Sequence, residues 1–252
     1  MHWYKRDGKP AYEIEDTKGK LRATTLRDAR KHGYGYSVTE IIGCQDKPAL
    51  RTWLQQQLLN AVIANPYNPD VWFDEKLWRN HVLHESQNVG REARQKGTAI
   101  HDALEGYYKG EGLALDMHDI CTPVIDFMEQ RFPGVEWISE SSFYHSAGFG
   151  GKVDLHSKTH NIVLDFKTTD KADASKMVAY SDHHMQTAAY AHGLELDITK
   201  VLRYNLFIST STPGVMKLTE SKDVEKDWQM FTHLLNFVKL RNNYDPENYS
   251  NT

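Results

Sequence analysis

Residues 150–170 read GGKVDLHSKTHNIVLDFKTTD. Two apolar stretches flank the polar turn SKTHN, the pattern of two strands folded back on each other. Each stretch carries an aspartate where a packed strand would take Val or Ile: Asp154 in the first and Asp165 in the second. Side chains alternate faces along a strand, so Asp165 and Lys167, two apart, share one face. Antiparallel pairing lets Asp154 and Asp165 converge at one end of a sheet. Two carboxylates at close range resist joint ionisation. A divalent cation relieves that repulsion, and hard oxygen ligands suit Mg²⁺ or Mn²⁺. The Lys167 ammonium can orient a water or stabilise a developing oxyanion on the same face. The simpler alternative is a salt-bridged hairpin in which Lys167 pairs Asp165 and Asp154 caps a turn. Gly150 and Gly151 favour a site, because glycine permits close backbone approach.

Working outward, strand-like segments rich in β-branched and aromatic residues surround this hairpin: VEWISESSFYH before it and KVLRYNLFIST after it. Between the hairpin and the latter strand, KADASKMVAYSDHHMQTAAYAHGLEL predicts a helix that sets Gln186 and Tyr190 on one face at i, i+4. VEKDWQMFTHLLNFVKLRNN predicts a C-terminal helix. Upstream, residues 37–134 are helical in pattern. KPALRTWLQQQLLNAVIAN stops at Asn65-Pro66, VWFDEKLWRNHVLHESQNVG stops at Gly90, and REARQKGTAIHDALEGYYKGEG starts a new helix that carries His101. TPVIDFMEQRF gives a further helix, with Pro123 near its first turn. Helices followed by strands, a helix, a strand and a helix predict an α/β core with an α-helical extension.

The chain has 252 residues, 40% hydrophobic and 25% charged, which predicts one large globular domain or a core with an appended lobe. Two cysteines, Cys44 and Cys121, are too few for a disulfide framework or a four-thiolate cluster, so no iron–sulfur cluster is expected. No apolar run could span a bilayer and the N-terminus lacks an apolar signal core, so the expected setting is the cytoplasm, away from membranes. The net charge is −4, yet residues 1–35 hold nine Lys/Arg against five Asp/Glu. A basic arm on an acidic body suits a polyanion held locally; a solvated surface is the plainer explanation.

Taken together, GTAIH (Gly97 to His101), Glu140, GGKVDL (Asp154), LDFKT (Asp165 and Lys167) and QTAAY (Gln186 and Tyr190) occur in an order that resembles the PD-(D/E)XK nuclease superfamily. More narrowly they resemble its RecB-type branch, which includes phage-encoded exonucleases, the mitochondrial genome maintenance exonuclease and the CRISPR-associated adaptation nucleases. The resemblance spans roughly residues 95–208. It implies a restriction-endonuclease-like α/β core, a mixed central sheet flanked by helices, over 135–252 with the C-terminal helix. The helical region 37–134 would contribute His101, and 1–36 would be a basic strand-and-turn segment.

The resemblance also implies a phosphodiester hydrolase using Mg²⁺ or Mn²⁺. The expected activity is that of a metal-dependent DNA exonuclease: the helical region 37–130 would arch over the site so that a strand end must thread, and aromatics in the passage would favour single strands. Asp154, Asp165, the backbone carbonyl of Phe166 and His101 would hold the metal. Lys167 would position or activate water, Glu140 would assist at the metal, and Gln186 and Tyr190 would contact nucleic acid or brace the site. Arg91, Arg94 and Lys96, read as lying at a helix start with free N–H groups, would meet phosphates. Its partners would be DNA ends or single strands, with a helicase, recombinase or replication protein supplying any unwinding; for a phage-encoded chain the compartment would be the host cytoplasm. The alternatives are a structure-specific or nicking endonuclease on the same core and a catalytically silent nucleic-acid-binding protein. A zinc hydrolase built on His81, His84, His183 and His184 is disfavoured, since HVLHE lacks the H-E-x-x-H spacing and capping or exposed histidines are the simpler reading.

Overall fold

A computed structural model describes residues 2–249. The N-terminal stretch forms β1 (Trp3–Tyr4), β2 (Glu13–Glu15), β3 (Leu21–Ala23), α1 (Leu26–His32), β4 (Gly35–Ser37) and α2 (Val38–Ile42). Two long helices follow, α3 (Pro48–Ala64) and α4 (Glu75–Tyr108), then α5 (His118–Arg131). The remainder is β5 (Ile138–His145), β6 (Phe149–Ser157), β7 (Ile162–Thr169), α6 (Ser181–Gly193), β8 (Leu202–Ser209), β9 (Met216–Ser221) and α7 (Val224–Arg241).

Contacts divide the chain into two compact units, 1–44 with 100–252 and 45–99. The helical stretch 37–134 is thus shared: 37–44 and 100–134 belong to the first unit, and α4 passes from the second to the first at Ala99–Ile100.

The first unit is α/β with a mixed central sheet. Its strand order is β1-β4-β6-β7-β8-β9, with β5 also paired to β6. β4 runs parallel to β6 and β7 parallel to β8, and the other pairs are antiparallel. One face packs on α6 and α7 through Val153, Val163, Met185, Ala189, Phe231 and Leu235. The other packs on α5 and the end of α4 through Ile100, Leu104, Val124, Leu164, Phe166 and Leu206. Arg203 of β8, fully buried, donates to the His184 carbonyl at 3.0 Å and to Asp227 at 2.9 Å, tying α6 and α7 to the sheet. Cys121 lies inside the second core, and burial pushes its thiol up to about 11. No helix among the described residues is long and apolar enough to cross a membrane.

Several local expectations change. Gly90 does not end a helix, since α4 runs unbroken through it. A mid-helix glycine costs about 1 kcal/mol against alanine. Here a Cβ at Gly90 would stand 3.3 Å from the Trp53 ring, so the glycine serves the packing of α3 on α4 within the second unit. Arg91, Arg94 and Lys96 therefore sit mid-helix and exposed, not at a helix start, and no free N–H groups are presented beside them. Pro123 lies inside α5, which begins five residues earlier at His118. The helix expected from residue 171 begins only at Ser181, preceded by a short 3-10 turn at Ala174–Lys176. Strand β9 and the parallel entry of β4 add to the strands that the sequence pattern marks.

On the α6–α7 face, the His192 ring stacks on Trp228 at 3.8 Å, and its Nε2 is buried without a partner. Burial, aided by His145, pulls His192 down to about 4. The unfolded imidazole titrates near 6.5. Stability from this group is therefore full above pH 6.5 and is lost as pH falls toward 4, because only the unfolded chain takes the proton. The loss should be about 2 kcal/mol. Urea unfolding at pH 7.5 and 4.5 should show His192→Phe losing less stability on acidification than the parent by that margin; equal losses would refute the assignment.

Candidate active site

The β6–β7 ladder pairs Ser157 with Ile162, His156 with Val163 and Leu155 with Leu164, and goes no further. The next pair in that register would be Asp154 opposite Asp165. The strands part there, and the backbone N–H of Phe166, which lost its ladder partner, donates to Asp154 Oδ2 at 2.7 Å. N–H and C=O of one strand residue point to the same side, so the Phe166 carbonyl also faces the gap. Val153 and Leu155 belong to opposite cores, so the alternation of β6 breaks at Asp154. Across from it on β5, Glu140 has φ 56°, a left-handed conformation that costs an ordinary side chain about 1–3 kcal/mol. Glu140 is held by an ion pair with Lys152, whose ammonium also lies 3.7 Å from Glu105.

Asp165 is nearly buried. It accepts from Gln186 Nε2 at 2.9 Å and Asn205 Nδ2 at 3.0 Å, and pairs with Lys167 Nζ at 2.7 Å. Lys167 Nζ also donates to Gln186 Oε1 at 2.8 Å, and Gln186 Nε2 lies 2.7 Å from the Tyr190 hydroxyl. Glycine explains why α6 comes so close. A Cβ at Gly151 would lie 2.9 Å from Tyr190 Cε1, so only glycine leaves room for that ring. With Tyr190 seated on the sheet, Gln186 one turn earlier reaches both Asp165 and Lys167. His101, on α4, places Nδ1 3.4 Å from Asp154 Oδ2 and its ring edge-on to Phe166.

The electrostatics follow from burial and neighbours. Desolvation, helped by the Asp154 charge and only partly offset by Lys167, raises the Asp165 carboxyl above its usual range. Burial pushes Asp154 the same way, but the His101 imidazole, Lys167 and the Phe166 N–H outweigh it and hold Asp154 low. Burial alone would lower His101; its contact with Asp154 reverses the sign and raises it. The arrangement is two carboxylates balanced by one ammonium and an imidazole that tends to hold a proton.

Thus Asp154, Asp165, Lys167, His101, Gln186 and Tyr190 come together, with Phe166 through its backbone. Glu140 stands opposite Asp154 and is engaged by Lys152. Arg91, Arg94 and Lys96 belong to the other unit. Of these, Arg91 bonds Asn88 and Arg94 donates to the Gly90 carbonyl at 3.1 Å. His183 caps α6 through the Tyr180 N–H at 3.2 Å, as a capping histidine should. Sequence reading missed Asn205 and Lys152. Asn205 is fully buried, pairs in register with Asp165, and leaves its Oδ1 without a partner. The available signal was an amide inside the apolar run YNLFI.

Among the described residues no three His, Cys, Asp or Glu side chains already form a metal-binding group. The donor set nonetheless fits a hard divalent cation. Asp154, paired with His101, stands opposite Asp165 where the strands part, and burial makes the Asp165 charge costly unless a cation is near.

No protein-family model matches the chain, and no curated protein does. Among solved structures, a match is found to the one titled "Crystal structure of SSO0001", at 15% identity and TM-score 0.30. It covers 47% of this chain and 56% of that one, so just over half of the other chain's length is spanned.

Proposed function

We propose that the first unit is a restriction-endonuclease-like core acting as a metal-dependent phosphodiester hydrolase on DNA, with exonucleolytic action from DNA ends. The observation that carries this reading is the parting of β6 and β7 at Asp154 and Asp165, with Lys167 held beside them by Gln186. A plain salt-bridged hairpin needs neither an interrupted ladder nor a lysine braced from a helix. The motif order adds the substrate class, and the end preference comes from the RecB-type resemblance.

Asp154, Asp165, His101 and the Phe166 carbonyl would hold Mg²⁺ or Mn²⁺. The chemistry such a cation supplies is acidification of water and neutralisation of charge at phosphorus. Asp154 is kept ionised by His101, Lys167 and the Phe166 N–H, ready to accept. Gln186 and Asp165 fix the Lys167 ammonium beside the carboxylates, where its remaining donor could orient water or meet a phosphoryl oxygen. Asn205 and Gln186 together fix the Asp165 carboxylate in one orientation.

The experiment is incubation with Mg²⁺ and end-labelled linear or covalently closed circular DNA, single- and double-stranded. Linear single strands should shorten stepwise and the closed circle should survive. Prompt linearisation of the circle would transfer the protein to the endonuclease reading, and complete inertness with all metals would remove hydrolysis altogether. His101→Ala should raise the Mg²⁺ and Mn²⁺ concentrations needed for half-maximal rate, since imidazole is a borderline ligand. Superimposable metal titrations would leave His101 as a mere partner of Asp154.

A further inference from the structure

A second set of charges lies one helical turn from His101. Glu105 follows His101 by four residues on α4, on the same helix face. Lys152 precedes Asp154 by two residues on β6, about 7 Å along the strand. Two contacts therefore join the same helix to the same strand as successive rungs: His101 Nδ1 to Asp154 Oδ2 at 3.4 Å, and Lys152 Nζ to Glu105 Oε2 at 3.7 Å. Lys152 Nζ also pairs with Glu140 Oε2 on β5. The Glu140 side chain is only 8% exposed, and its Oε2 is buried without a hydrogen bond, so the Lys152 charge is what offsets it. Glu105 divides its oxygens, Oε1 to Lys109 on its own helix and Oε2 to Lys152.

An ammonium is a compact point charge, and here it stands between two carboxylates, where a hard divalent cation would also be at home. Mg²⁺ and Mn²⁺ sit about 2.0–2.2 Å from oxygen ligands, so an ion in place of the ammonium would need Glu105 Oε2 to close by about 1.5 Å. The Glu105 side chain is partly exposed and free to do so. The ammonium and the ion cannot share that place, because like charges repel. Charge balance separates the two rungs. Asp154 and Asp165 have one ammonium, Lys167, and the His101 imidazole, which leaves a deficit of positive charge that one divalent cation fills. Glu105 and Glu140 have two ammonium groups, Lys152 and Lys109, and no deficit.

We propose that Lys152 is a built-in counter-ion in the place of a second divalent cation. The protein then takes one such ion, at Asp154 and Asp165, and removing the ammonium opens a second hard-cation site at Glu105 and Glu140. The inference rests on the metal-dependent reading for the first ion only. Lys152 supplies a fixed positive charge beside Asp154 at every metal concentration.

The test titrates Mn²⁺ into the full chain without DNA. Bound ion is counted from the paramagnetic resonance signal of the free ion, and melts are recorded in Mn²⁺ and in chelator. The parent should bind one Mn²⁺ per chain, lost in Asp165→Asn. Lys152→Met should bind two, and adding Glu105→Gln should return the count to one. Lys152→Met strands a nearly buried carboxylate, so it should melt below the parent in chelator and regain most of the difference in Mn²⁺. Lys152→Arg keeps the charge and should match the parent in count. Two ions in the parent, a single ion in Lys152→Met, or a melting deficit that Mn²⁺ does not reduce would each overturn the proposal. Failure of the metal-dependent reading looks different. A parent that binds no Mn²⁺ removes the cation from Asp154 and Asp165. If Lys152→Met then binds one ion that Glu105→Gln abolishes, the role of Lys152 stands alone; binding by neither removes both.

Discussion

Asp165→Asn is expected to lose all cation-dependent DNA cleavage while keeping its fold. The asparagine matches the aspartate in shape and can turn its one acceptor oxygen to Asn205 and Lys167, leaving only Gln186 without an acceptor, whereas alanine would leave Gln186, Asn205 and Lys167 all facing an empty space. Each donor so stranded costs about 1–3 kcal/mol, and an inactive alanine variant would be hard to tell from an unfolded one. In asparagine the shape stays and the charge goes. Burial and the neighbouring Asp154 already make that charge expensive, so its removal offsets much of the cost of the one donor left facing the amide nitrogen. Asp154→Asn should behave alike, with its amide oxygen still accepting the Phe166 N–H. Thermal melts within a few degrees of the parent, together with turnover indistinguishable from a no-enzyme blank, are the expected pair of results. Turnover within tenfold of the parent in either variant, with Mg²⁺ or Mn²⁺, would remove that carboxylate from the chemistry.

Lys167→Met should slow hydrolysis by about 10²-fold or more, the range for a donor serving the transition state. Methionine keeps most of the aliphatic stem and removes the ammonium that bridges Asp165 Oδ2 and Gln186 Oε1. DNA affinity measured in Ca²⁺ should change far less than the rate, because one phosphate contact among many is a small part of binding. The opposite split, weakened binding with an unchanged single-turnover rate, would make Lys167 a phosphate anchor. Gln186→Glu offers a finer reading: a carboxylate beside Lys167 still accepts its proton but no longer donates to Asp165, so the rate should fall with the ammonium still in place.

What a sequence can state about such a site depends on the reach of each signal. The period of two along β7 set Asp165 and Lys167 on one face, and the period near 3.6 along α6 set Gln186 and Tyr190 on one face. The Lys167–Asp165 pair and the Gln186–Tyr190 bond are the result. The polar turn between two apolar runs likewise predicted the β6–β7 hairpin, because turn and strands are contiguous. Punctuation was less secure. A glycine inside a helical pattern reads as a stop, and only the nearness of Trp53 reveals that Gly90 is a packing residue in a continuous helix.

The sequence by itself determined the α/β class, the hairpin, and the two short-range pairings that define the candidate site, since each follows from backbone periodicity within a dozen residues. Tertiary structure alone decided the rest. Asn205 reaches Asp165 because β8 runs parallel to β7 in one register, a choice made across forty residues of chain. His101 meets Asp154 because the end of α4 packs beneath the sheet through Ile100 and Leu104, and Lys152 takes Glu140 because β5 turns left-handed opposite Asp154. Local periodicity fixes which way a side chain points from its own strand or helix; which distant group it meets is set by how whole elements bury their apolar faces against one another.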